Sequence, residues 1–187
     1  ATEINQATAS GGFSNFTVSY LERLSETADI DLQATSDITL DLQGDTLDVQ
    51  DNNSISLTAG AQIHDVSLGK ILTDRGGSGG SADGNITLVA GTDVNLDQTT
   101  LEALNGGQID ITSGNDIQDV ILKPQFQATN RTYDGTADAT GVSSITNVSL
   151  NGNNLTVGSA SFSDGNASTS SKTVTLDSVD AGNDNIS

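Results

Sequence analysis

Branched aliphatic residues alternate with small polar residues in short phrases along the first two thirds of the chain. The phrases are Asp29-Ile30-Asp31-Leu32, Asp37-Ile38-Thr39-Leu40-Asp41-Leu42, Thr46-Leu47-Asp48-Val49 and Ser54-Ile55-Ser56-Leu57. They return as Asn85-Ile86-Thr87-Leu88, Asp93-Val94-Asn95-Leu96, Gln108-Ile109-Asp110-Ile111 and Asp116-Ile117. Alternation with period two marks a strand that buries one face. Recurrence of one phrase marks a solenoid, whose units cover their apolar faces only by stacking on neighbours.

The leading aliphatics Ile30, Ile38, Leu47, Ile55 and Ile63 are separated by steps of 8, 9, 8 and 8 residues. Two such steps predict a coil of about 17 residues. Ile63 to Ile86 and Ile86 to Ile109 span 23 residues each, and the step of 8 survives from Ile86 to Val94 and from Ile109 to Ile117. The spacing therefore predicts two regular strands per coil and a third side of variable length, the pattern of a parallel β-helix. An antiparallel sandwich would also show turn signals at such intervals. The links Ala34-Thr35-Ser36, Gln43-Gly44-Asp45 and Gln50-Asp51-Asn52-Asn53 suit coil corners as well as hairpins. Repetition of the phrase itself favours the β-helix.

Composition narrows the core. Of 187 residues, 34% are hydrophobic but only 3% aromatic, and Met is absent. Ile, Leu, Val and Ala fill a narrow bore better than a globular core that needs large anchors. Absence of Cys excludes a disulfide scaffold, thiol catalysis and cysteine zinc sites, and is compatible with export. The formal charge of −19 disfavours nucleic acid and anionic membranes as partners. No stretch is apolar enough for direct membrane insertion. No signal peptide is visible and the first residue is not Met, so the sequence reads as an excised or processed fragment.

Along the chain, residues 1–27 read as an opening coil or cap, in which Val18, Leu21 and Leu24 form a strand or short helix. Residues 28–66 are the densest repeat. Arg75-Gly76-Gly77-Ser78-Gly79-Gly80-Ser81 reads as an exposed insertion, since it lacks the Lys and following helix of a phosphate loop. Residues 84–121 resume the repeat, with 97–105 as a helical turn or a widened side. The only proline, Pro124, fits a boundary at 121–124. This divides the chain into a shaft segment, 1–121, and a second unit, 124–187, whose last strand is expected to be incomplete. Runs at Gln125–Asn130, Ser144–Leu150, Asn154–Phe162 and Lys172–Leu176, with turns at Asp134-Gly135, Asn151-Gly152 and Asp164-Gly165, predict a small antiparallel-rich β domain, β-grasp-like or a sandwich. Phe126, Tyr133 and Phe162 would be its aromatic core.

Candidate chemistry is sparse. His64, the only histidine, adjoins Asp65, but nothing places a Ser and an oxyanion hole beside them. The pairs Asp29/Asp31, Asp37/Asp41 and Asp45/Asp48 suggest glycosidase carboxylates, yet a cleft with one raised pKa and sugar-stacking aromatics would be needed. Asp51-Asn52-Asn53 and Asp180-Ala181-Gly182-Asn183-Asp184 offer oxygen ligands for Ca²⁺ without matching an EF-hand or a calcium β-roll. Sequons begin at Asn15, Asn52, Asn85, Asn130, Asn147, Asn154, Asn166 and Asn185, as a chain rich in Asn, Ser and Thr produces by chance. No catalytic or cofactor-binding residue is assigned, and the metal assignment is left open with Ca²⁺ as its one candidate.

Two stretches carry a resemblance. The repeats Ala28-Asp29-Ile30-Asp31-Leu32-Gln33-Ala34 and Gly84-Asn85-Ile86-Thr87-Leu88-Val89-Ala90-Gly91 resemble the shaft repeats of filamentous-haemagglutinin-type adhesins. Arg131-Thr132-Tyr133-Asp134-Gly135-Thr136-Ala137-Asp138-Ala139 resembles the signature of the YDG repeat domain. It is followed in order by Gly158-Ser159-Ala160-Ser161-Phe162, Lys172-Thr173-Val174-Thr175 and Asp180-Ala181-Gly182-Asn183. An aromatic often follows that last phrase in the family; here the residue is Asp184. The resemblance implies a right-handed parallel β-helix and two-partner secretion through an outer-membrane partner. It further implies a location outside the cell or on a bacterial surface, and adhesion to glycans or host and bacterial cells. A ligand-free spacer and a polysaccharide-active β-helix enzyme stand as alternatives.

Overall fold

The computed structural model describes residues 3–7, 13–75, 84–125, 136–139, 145, 147–162 and 174–180. The chain opens with strands β1 (Glu3–Ala7) and β2 (Phe13–Thr17), paired antiparallel, and one helix, α1 (Val18–Ser25). Thr17 caps α1, its Oγ1 accepting the Tyr20 N–H at 3.3 Å, a threonine at a position that favours short hydroxyl side chains. Residues 1–27 thus contribute both a hairpin and a helix.

Three strands then recur in order. The first set is β3 (Ile30–Ala34), β4 (Ile38–Asp41) and β5 (Thr46–Gln50). The second is β6 (Ile55–Ala59), β7 (Ile63–Asp65) and β8 (Gly69–Arg75). The third is β9 (Ile86–Ala90), β10 (Val94–Asn95) and β11 (Thr99–Ala103). The fourth is β12 (Ile109–Ser113), β13 (Ile117–Gln118) and β14 (Ile121–Leu122). Each strand pairs in parallel with its counterpart one set along, giving three sheets: β4-β7-β10-β13 (sheet A), β3-β6-β9-β12 (sheet B) and β5-β8-β11-β14 (sheet C). Among the described residues the fold is all-β apart from α1.

Register fixes the period. Ile30 pairs with Ile55, Ile55 with Ile86 and Ile86 with Ile109. A first circuit of two strands and about 17 residues is therefore incorrect: the phrase at Leu47 lies in sheet C and does not stack on Ile30. Three strands make the repeat, because all three phrases carry the same alternation and each needs its own neighbour. Residues 99–103, expected within a helical turn or widened side, form strand β11.

Alternation puts one face of every strand inward. The columns Ile30-Ile55-Ile86-Ile109 and Leu32-Leu57-Leu88-Ile111 in sheet B join Ile38-Ile63-Val94-Ile117 in sheet A and Leu47-Ile71-Leu101 in sheet C in one buried cluster. At the corner after sheet B, Gly60, Gly91 and Gly114 approach the circuit before them so closely that a Cβ on each would overlap the carbonyl oxygen of Thr35, Gly60 and Gly91 respectively. Only glycine permits that spacing.

The stack continues past the boundary expected at 121–124. Strand β15 (Val148–Leu150) pairs in parallel with β12, placing Val148 on Ile109 and Leu150 on Ile111. Ile145, Val148, Leu150 and Leu155 share the same buried cluster. Asn151 and Gly152, both at positive φ, turn β15 back into β16 (Asn153–Asn154) as the Asn-Gly signal predicts. Beyond it, β17 (Thr156–Phe162) pairs antiparallel with β18 (Val174–Asp180). Ala139 N–H donates to Ala160 O at 2.8 Å, and Phe162 N–H to Ala137 O at 2.7 Å. The loop at 76–80, residues 126–135 with most of the YDG-like signature, Asp164-Gly165 and residues 181–187 lie outside the described residues.

Candidate functional site

The polar residues singled out from the sequence serve mainly to tie one circuit to the next. Ser54 N–H donates to Asp29 Oδ1 at 2.7 Å, Asn85 N–H to Ser54 Oγ at 3.0 Å, and Gln108 N–H to Asn85 Oδ1 at 2.9 Å. One column of side chains thus accepts the main-chain N–H of its neighbour just before β6, β9 and β12. At sheet A, Gln62 N–H donates to Asp37 Oδ1 at 3.1 Å and Asp116 N–H to Asp93 Oδ1 at 3.3 Å. Asp41 Oδ1 accepts the Ser67 hydroxyl at 2.8 Å. Asp29, Asp37 and Asp41 therefore act in corners as side-chain acceptors. Asp31 points out from sheet B and accepts from Gln33 Nε2 at 3.0 Å.

His64 and Asp65 are neighbours in sequence but lie on opposite faces of β7. His64 pairs with Thr39 and Asn95, and its Nε2 lies 3.2 Å from Thr39 Oγ1. Asp65 takes the inward register position opposite Leu40, so a hydrolytic dyad of adjacent residues does not form. Its carboxylate turns to the corner before sheet C, where Oδ2 accepts the Gln98 N–H at 2.9 Å. Burial raises its pKa above the ordinary carboxylate value. Fully buried Thr99 and the Gln98 N–H pull it back, while the Asp97 carboxyl pushes it further up. Position 65 carried no signal of its own: it reads as a corner aspartate beside a histidine until register shows it interrupting an aliphatic column.

The second concentration of charge lies where α1 covers the edge of β5. Glu22 Oε1 accepts the Asp48 N–H at 3.2 Å and Ser25 Oγ the Gln50 N–H at 3.0 Å. Asn53 Nδ2 donates to Ser25 O at 2.6 Å, so the Asp51-Asn52-Asn53 corner clamps the helix. Arg75 bridges Glu22 at 4.0 Å and Glu26 at 3.6 Å. Burial raises the Asp48 pKa; a main-chain hydrogen bond from Asp74 lowers it, and the Glu22 charge adds to the rise. Asp45, its expected partner, stays exposed on the preceding corner.

Among the described residues, no three His, Cys, Asp or Glu side chains lie close enough to hold a metal ion. No helix there is long and apolar enough to cross a membrane. Asn147 is buried, so its sequon is inaccessible, whereas Asn15, Asn52, Asn85 and Asn154 are exposed. Comparison with protein-family models, with curated proteins and with solved structures finds no match.

Proposed function

We propose that the chain is a shaft segment of a secreted bacterial surface adhesin, its three sheets winding as one parallel β-helix. The observation that carries this reading is the in-register parallel stacking of three recurring strands over one buried aliphatic cluster. Ladders of main-chain hydrogen bonds along the stack, reinforced by the Asp29-Ser54-Asn85 column, would resist bending and project whatever the surface loops contact. The reading gives the segment no catalysis. In support, the carboxylates Asp29, Asp37 and Asp41 are engaged in joining circuits, and Asp48 lies under a helix. Affinity for glycans or cell surfaces, export through an outer-membrane partner and a YDG-type unit after Pro124 follow from the sequence resemblance.

Binding of the chain to a glycan array and to intact cells tests adhesion; no binding to either overturns it. The alternative is a ligand-free spacer. It draws support from the few large apolar side chains exposed among the described residues, Tyr20, Val66 and Leu68, since sugar recognition favours aromatic platforms.

A further inference from the structure

One end of the stack is sealed unevenly. At sheet A, β1 pairs antiparallel with the edge strand β4. At sheet C, α1 supplies acceptors to the edge strand β5 through Glu22 and Ser25. At sheet B the edge strand is β3, and no described strand or helix bonds to its outer side. The Ile30 N–H donates to Ser54 O at 2.8 Å and Ala34 O accepts from Gly60 N–H at 2.9 Å, so both face β6. Alternation then turns the N–H and C=O groups of Asp31 and Gln33 away from the stack. Among the described residues these groups have no hydrogen-bond partner.

Burial differs slightly in the same direction, although the inward side chains of β3 are all buried, Ile30 at 1% among them. The inward side chains of the sealed edges, Ile38, Leu40, Leu47 and Val49, are all 0% exposed. On β3, Leu32 retains 7% and Ala34 8%, against 0% for Leu57 and 3% for Ala59 one circuit further in. Strand β3 also lacks the usual protection of an open edge, having no Lys, no Pro and no bulge.

The surroundings select what fits. Asp29 and Asp31 flank the edge and both are exposed. Every cation among the described residues lies elsewhere: Arg23 on α1, Lys70 and Arg75 on β8, Lys123 after β14. Lys70 and Lys123 both pair with Glu102. A second copy of this chain would bring its own charge of −19 to the same edge, which opposes association.

We propose that β3 is a strand-addition site for an extended, cationic polypeptide segment with alternating apolar and basic residues. Its main chain would pair with Asp31 and Gln33, its apolar side chains would cover Leu32 and Ala34, and its basic side chains would face Asp29 and Asp31. This assignment stands independently of the adhesin reading.

The test uses the full chain and a synthetic peptide of alternating lysine and valine, with a glutamate-valine peptide and an all-lysine peptide as controls. Site-resolved hydrogen exchange is the readout. The lysine-valine peptide is expected to slow exchange at the Asp31 and Gln33 amides on the order of tenfold or more, and the controls to leave both unchanged. Gln33→Pro removes an edge donor that serves no ladder bond and should abolish protection without lowering the melting temperature. Asp31→Lys keeps the main chain and should weaken binding, which preserves the test if the proline variant misfolds. Protection absent at Asp31 and Gln33, or equal protection by any control peptide, overturns the proposal. So does a peptide-independent dimer through β3, seen by sedimentation.

Discussion

Asp65 Oδ2 accepts the main-chain N–H of Gln98 at 2.9 Å, joining the second circuit to the third from an inward position that opposes Leu40 on the first. One acidic side chain replaces an aliphatic one in the stack and performs a corner's hydrogen bonding. Its raised pKa makes this contact sensitive to pH.

The folded chain holds a proton on Asp65 and Asp48 more readily than the unfolded chain does. Stability from that preference is complete below the unfolded carboxylate value, about 4. It is lost as pH rises through the raised folded values. The melting temperature is therefore expected to fall between mildly acidic and neutral pH, beyond the general effect of charge repulsion. Asp65→Asn keeps an acceptor for Gln98 and should flatten that fall. Asp65→Leu restores the column but orphans the Gln98 N–H, and should cost about 1–3 kcal/mol in urea unfolding.

Gly91 tests the corner spacing. Gly91→Ala places a Cβ against the Gly60 carbonyl, with main chain on both sides of the contact. The expected loss is about 1–3 kcal/mol, as for overpacked cores. Gly44→Ala meets no atom, but its φ of +87° is unfavourable for an L residue, so a smaller loss of about 1 kcal/mol is expected. Equal losses at the two sites would argue against the close-approach account.

Ser25 tests the helix seal. Ser25→Ala removes the acceptor of the Gln50 N–H and the donor to Glu22 O. A loss of about 1–3 kcal/mol is expected, with faster amide exchange at Gln50 than at residues of β8. Unchanged exchange at Gln50 would show that α1 does not secure this edge.

Inward and outward positions of one strand should differ sharply. Leu57 is fully buried between Leu32 and Leu88, and Leu57→Ala should cost about 2–5 kcal/mol. Thr58→Ala on the outer face should stay within about 0.5 kcal/mol. Chemical denaturation of the two variants side by side measures the contrast.

The alternation of Ile, Leu and Val with small polar residues was sufficient to locate most strands, their inward faces and the aromatic-free core. Asn151-Gly152 likewise announced its hairpin, because the demand for positive φ at both positions is local. The number of strands per circuit was not local. Leu47 carries the same phrase as Ile30 and Ile55, and only register separates the strand that stacks from the one that turns to another sheet. The continuation of the stack to Val148 was hidden because a long intervening segment separates it from Ile109, and nothing in either residue names its partner. Sequence marked Asp29 and Asp37 as notable acids, yet it could not say that their carboxylates bind the next circuit, 25 residues on. It marked His64 and Asp65 as neighbours, and the pleat set them on opposite faces. Hydrophobic periodicity determines which side of a strand is buried; the partners of its edges and of its polar groups are decided only when distant segments stack, and there the open edge of β3 first becomes visible.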